Sequence, residues 1–237
     1  LIVADVEGEW ELVTQEDHAH LAADILSLLR LPELVGNPRR DLLILATREH
    51  DRGWRGEDAA PRVDRASGWP IGFRRIADPS RRDIWSRSCS AHSPDEPAYV
   101  RLLIVLHGLF LHRDMAGLDD WDGWLAGLRE RRRELLDECG LSRDEAEADH
   151  AWLALADLCS LAICERREQT FSWAGIEGLA DGTALRLAPF PLAGTTTFTY
   201  CCRRLPVRPL ASDRELGLAL AAARWGRRRA SVRPAGD

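Results

Sequence analysis

The chain has 237 residues and a formal net charge of −6, a balance that argues against a nucleic-acid binder, whose footprint is a basic face. Its 32 basic residues are all arginine, which excludes P-loop, Schiff-base and other lysine chemistry. None of the six cysteines forms a C-x-x-C pair, so they read as small reduced apolar side chains rather than a zinc knuckle.

Leu1 to Val3 and Trp10 to Val13 flank a turn around Gly8 and read as a hairpin. Thr14, with Asp17 three residues on, predicts a helix start. That helix is expected to run to about Leu31 and stop at Pro32. A second helix is predicted over Asp41 to Asp51, ended by Gly53. Gly53 to Pro79 is a long loop carrying Trp54, Trp69 and Phe73, and such loops in compact domains usually cover a site. Further helices are expected over Ser80 to Ser90, Tyr99 to His112, Asp122 to Glu138 and Asp144 to Glu165. Thr183 to Leu187 and Thr195 to Arg203 alternate and are β-branched, which predicts two antiparallel strands. Ser212 with Glu215 opens a last helix to about Trp225, followed by a loose basic tail. The expected fold is mainly α. One domain would hold a helical core over 14–175, between an N-terminal hairpin (1–13) and a segment (176–237) with a β-hairpin, a last helix and a tail. Strands near the two ends would form one small antiparallel sheet. The chain shows no basic-then-apolar leader, and Leu102 to Leu111 is too short to span a bilayer. A cytoplasmic location, no membrane partner and no nucleic-acid partner are expected.

Asp157 is the one charged side chain between Ala151 and Cys164, a run apolar on nearly every face. A carboxylate buried there needs a partner, because an uncompensated buried charge costs several kcal/mol or more. His18, His50 and His107 occupy similarly apolar helical settings. His18 falls at the centre of the stripe made by Leu21, Ala22, Ile25 and Leu29, whereas His20 falls opposite, toward solvent. His50 and Asp51 close a helix, where the dipole favours a cation. His150 shares the Asp157 face but reads as peripheral, and His92 and His112 belong to no motif. A single histidine on an apolar face is more often a core residue than a ligand. Four such groups on separate helices point to one shared polar site.

In chain order the pattern is His, His-Asp, Asp. The segments LLILATREHDRGW and ALADLCSLAIC resemble two motifs of the HD-domain superfamily of metal-dependent hydrolases. That resemblance implies a helical HD-like domain and one metal held by His18, His50, Asp51 and Asp157, with Asp51 and His107 acting in catalysis. His107 would orient substrate phosphate or bind a second metal. A mixed imidazole and carboxylate set suits Mn, Fe, Zn or Ni better than Ca. The implied activity is hydrolysis of a small phosphate ester, with Arg48, Arg52 or Arg55 clamping phosphate. Two other readings stay open. One is an HD-like diiron oxygenase using His107 with His112 or His92. The other is a non-catalytic module in which Asp157 pairs with His18 or His50. The longer set TQEDHAHLAADI, EHDRGW, DAAPRVD, GWPIGF, LHGLFL and DLCSLAIC is similar to the bacterial domain-of-unknown-function family 3891. That similarity covers most of the chain and brings no established activity.

Overall fold

The computed structural model describes residues 1–90 and 95–236, so His92 lies outside the described residues. Strands β1 (Ile2–Val6) and β2 (Glu9–Val13) pair antiparallel across Glu7 and Gly8. Both turn residues have positive φ, +55° and +81°, as a tight hairpin turn matched to strand twist requires. Helix α1 (Gln15–Leu28) is capped by Thr14, whose hydroxyl accepts from Asp17 N at 3.0 Å and donates to the Asp17 carboxylate at 2.7 Å. Pro32 opens a one-turn helix, α2 (Pro32–Val35), instead of only ending α1. Helix α3 (Arg40–Glu49) ends at His50, and a 3₁₀ turn (Arg52–Trp54) leads into α4 (Arg55–Ala59). Then come α5 (Asp78–Ser90), α6 (Ala98–Leu111) and α7 (Asp119–Cys139). Helix α8 (Arg143–Cys164) is opened by a capping box between Ser142 and Glu145.

After α8 the chain turns to strands: β3 (Glu168–Trp173), β4 (Ile176–Asp181), β5 (Ala184–Ala188) and β6 (Thr196–Pro206). Helix α9 (Asp213–Ala222), capped by Ser212, precedes the last strand, β7 (Trp225–Pro234). The seven strands make one sheet in the order β1-β2-β6-β7-β5-β4-β3, mixed because β5 and β7 run parallel.

This sheet overturns the expectation of a mainly α, all-helical HD-like fold with a small antiparallel sheet. Two signals hid it. Strand β3 begins at Glu168, inside the segment expected to be helical, and alternates between exposed and half-buried residues, so it carries no apolar run. Strand β7 is the basic stretch that reads as a loose tail. It carries three consecutive arginines, Arg227 to Arg229, and only Ala230 and Val232 are buried. Nor do β5 and β6 pair with each other as a hairpin, because β7 lies between them. The pairing of N- and C-terminal strands does occur, as β2 against β6.

Helices α1, α3, α6 and α8 pack on one another and share a core with Leu185, Phe198, Cys202 and Val232 of the sheet. A smaller cluster closes the region around Trp10 and Leu12 with Leu216 and Leu220 of α9. Buried Glu11 accepts from the Tyr200 hydroxyl at 2.9 Å and from Arg228 Nε at 2.6 Å, which ties β2, β6 and β7 together. Gly53 lets α5 lie against the 3₁₀ turn, since a Cβ there would meet the Ile84 carbonyl oxygen at 2.2 Å. No helix among the described residues is long and apolar enough to cross a membrane.

Candidate metal centre

Helix α1 brings His18, the end of α3 brings His50 and Asp51, α6 brings His107 and α8 brings Asp157. All five buried side chains line one pocket of about 350 Å³. Asp157 Oδ1 lies 2.9 Å from His18 Nε2 and 3.3 Å from His50 Nε2. Asp51 Oδ2 stands 3.8 and 3.6 Å from the same two nitrogens, and His107 Nε2 is 3.6 Å from Asp157 Oδ2. One ligand atom each from His18, His50 and Asp157 fall within 4.8 Å of one another, and no other such group of three occurs among the described residues. The residues singled out in the sequence therefore meet, with Asp51 and His107 just outside the tightest trio.

The outer ring nitrogens fix what the inner ones present. The Ser160 hydroxyl donates to the Asp157 carbonyl at 3.0 Å, so at 2.8 Å from His18 Nδ1 it is the acceptor for that N–H. His50 Nδ1 lies 2.7 Å from the Thr47 carbonyl, which can only accept. In the neutral rings both Nε2 lone pairs are thus turned on a carboxylate oxygen. That arrangement repels unless a proton or a metal cation lies between.

The electrostatics agree. Burial alone would lift the Asp157 carboxyl, but the three facing imidazoles hold it well below the usual carboxylate range. Burial would likewise depress His50, yet the charges of Asp51 and Asp157 raise it to about 9. Burial keeps Asp51 raised and His107 lowered despite their opposite-charge neighbours.

Two turns earlier on α8, Asp149 shows what a satisfied buried carboxylate looks like here. It accepts from the Tyr99 hydroxyl at 2.8 Å and from Arg39 at 2.9 and 2.7 Å, and also from Asn37. Asp157 has no such neutral or guanidinium donors, and His18 Nε2 and His107 Nε2 are left without a well-aligned hydrogen bond.

Several neighbours differ from expectation. His150 is buried rather than peripheral, and its Nε2 meets His107 Nδ1 at 3.1 Å. Arg48, Arg52 and Arg55 do not line the pocket. Arg52 is bonded to Glu96 and the Ser88 carbonyl, Arg55 to Glu16 and Glu49, and Arg48 lies exposed near Asp24. Arg74 and Arg81 line it instead. Of the loop aromatics, Trp54 and Phe73 wall the pocket, whereas Trp69 packs edge-on against Trp10 at 5.1 Å. His112 reaches the pocket, but its Nδ1 is held by the Gly108 carbonyl and its ring stacks on Trp121. Nothing in the local sequence marked Arg74 or Arg81, and the Asp157 face that His150 shares gave no sign of His107, because these contacts depend on how separate helices cross.

A helical layer on a mixed, mostly antiparallel seven-stranded sheet, with imidazoles and carboxylates converging in one pocket, defines an α+β protein with a candidate metal centre. The chain belongs to the family described as Protein of unknown function (DUF3891), whose family model matches residues 1–206. No curated protein and no solved structure gives a match. The HD-type likeness rests on the order of the residues alone.

Proposed function

We propose that this protein is a metal-dependent hydrolase of a small phosphate ester, with Mn, Fe, Zn or Ni held by His18, His50 and Asp157 and with Asp51 beside them. What supports this reading is the geometry, in which the Nε2 atoms of His18 and His50 both face one carboxylate oxygen, at 2.9 and 3.3 Å. A metal bound there would lower the pKa of a water to about 7 and offset charge on a phosphoryl group. Asp51, its carboxyl raised by burial, is suited to accept the proton of the attacking water. His107 Nε2, unpaired at the edge of the trio, holds or passes on a proton near the leaving group. Arg74 and Arg81 orient phosphate from the pocket wall, and Trp54, Phe73 and Trp85 restrict water.

One observation favours a second reading. His50, raised to about 9, can sit as an imidazolium against Asp157 and close the charge balance without metal. Elemental analysis of the native protein, followed by assay on phosphomonoesters and phosphodiesters, separates the two. About one metal per chain with chelator-sensitive turnover is expected. No metal after reconstitution with each of the four ions overturns the metal, and metal without turnover overturns the hydrolase.

A further inference from the structure

Phe110 lines the metal pocket and also a second cavity of about 400 Å³, which His150 reaches as well. Four guanidinium groups border this cavity: Arg113, Arg129, Arg132 and Arg143. They come from three segments, the turn after α6, α7 and the first residue of α8, so they are not one solvated helix face. Against them the cavity sets a single carboxylate, Glu147, at 2.6 Å from Arg143 and 4.0 Å from Arg132. Asp114 approaches Arg113 at 3.9 Å, and Arg129 makes no ion pair among the described residues. Four guanidinium groups against one lining carboxylate leave this space with an excess of positive charge. Burial first, then the neighbouring Arg143 and Arg129, push the Arg132 guanidinium down from its ordinary value. Glu147 acts in the opposite direction, so burial leads and the like charges of Arg143 and Arg129 add to it.

The floor has a different character. Phe110 and Trp173 lie with ring centroids 4.8 Å apart, and the Trp173 indole is fixed by its N–H bond to the Ala151 carbonyl at 2.8 Å. Leu125 and Leu106 complete an apolar base. Guanidinium forks match the oxygens of a phosphate, and a rim with excess positive charge favours an anion. The apolar base suits a flat, weakly polar portion attached to it. Small-molecule sites of this size are ordinary, on the order of 300–1,000 Å³.

We propose that this arginine-rimmed cavity is a second binding site, separate from the metal pocket, for a phosphate monoester of mononucleotide size bearing a planar ring. The test is calorimetric titration of the full chain, as purified, with AMP and separately with inorganic phosphate. Saturable AMP binding that weakens with salt is expected. Replacing Arg132→Gln together with Arg143→Gln should weaken it about tenfold or more, while Arg224→Gln, at an exposed arginine that lines neither pocket, should change it by less than about twofold. Arg129→Gln removes an exposed, unpaired side chain without touching the fold, and should weaken AMP binding in the same direction even if the double variant unfolds. Absence of saturable binding overturns the site. Equal loss in Arg224→Gln, or no change in the rim variants, assigns the binding elsewhere and overturns it too. Inorganic phosphate binding as tightly as AMP overturns the ring-binding floor.

Discussion

The Ser160 hydroxyl stands 2.8 Å from His18 Nδ1 while giving its own proton to the Asp157 carbonyl one turn back. One turn of α8 thus supplies both a carboxylate for the centre and the group that orients the imidazole opposite it. Ser160→Ala removes the acceptor and frees the ring to change tautomer. Metal affinity, read by competition with a chromogenic chelator, should fall about 10–100-fold. An unchanged affinity would show that His18 does not present Nε2 as a ligand.

Asp157→Asn separates the two readings of the centre. If Asp157 binds metal, the amide should bind it far more weakly. The chelated protein should melt at a similar or higher temperature, since an amide costs less to bury than a carboxylate. If Asp157 is only the counter-charge of His50, the variant should lose ~3 kcal/mol with no change in metal content.

His18→Ala and His20→Ala form an internal control on one helix. His18 is buried in the pocket, whereas His20 is half-buried and does not line it. The His20 variant should cost under about 0.5 kcal/mol, while the His18 variant should lower metal content or stability clearly. Equal effects in metal analysis and thermal denaturation would contradict the placement.

The metal-free protein should be most stable in a narrow pH range. Burial, and then the field of His107, depress His150 from 6.5 to about 3. Its contribution is therefore complete above about 6.5 and lost as pH falls toward 3. His50 works in the other direction. Burial opposes its charge, but Asp51 and Asp157 raise it to about 9, so its contribution is complete below about 6.5 and lost as pH rises through 9. Thermal midpoints measured with chelator present should peak near pH 6.5. His150→Gln should flatten the acid limb, whose slope approaches ~1.4 kcal/mol per pH unit, and leave the alkaline limb in place.

Gly53→Ala should be costly although the side chain gained is one methyl. The new Cβ would lie 2.2 Å from the Ile84 carbonyl and 2.5 Å from Ser88 Oγ, which itself accepts from Gly53 N at 3.0 Å. Helix α5 must move away, taking with it Trp85, whose ring lies 5.7 Å from that of His107. A loss of ~2 kcal/mol or more is expected in chemical denaturation. A near-neutral variant would mean that α5 shifts freely.

The centre was legible in the sequence because each of its residues breaks an apolar pattern that is otherwise continuous. Asp157 interrupts a helix buried on all sides, and His18 sits in the middle of a stripe. The helix starts at Thr14 and Ser212 were legible for a local reason, since a cap needs only its own first turn. What escaped was decided by distant partners. Asp149 gives no sign in its own segment of meeting Tyr99 and Arg39. His150 looked peripheral because nothing near it reveals that His107 comes from another helix to meet it. Strands β3 and β7 escaped for a related reason. Ladder hydrogen bonds need no apolar side chains, so a polar or arginine-rich strand leaves only a faint alternation.

Strand β7 carries a consequence for how the molecule is made. It is the last strand in the chain, yet it joins β2-β6 on one side to β5-β4 on the other. Until residues 225–234 have emerged from the ribosome, β6 and β5 each present an open edge with unsatisfied backbone groups. Unpaired edges invite association between nascent chains. Synthesis of this protein therefore passes through a vulnerable interval, in which the helical layer with its histidines and carboxylates is complete while the sheet beneath it is still in two pieces.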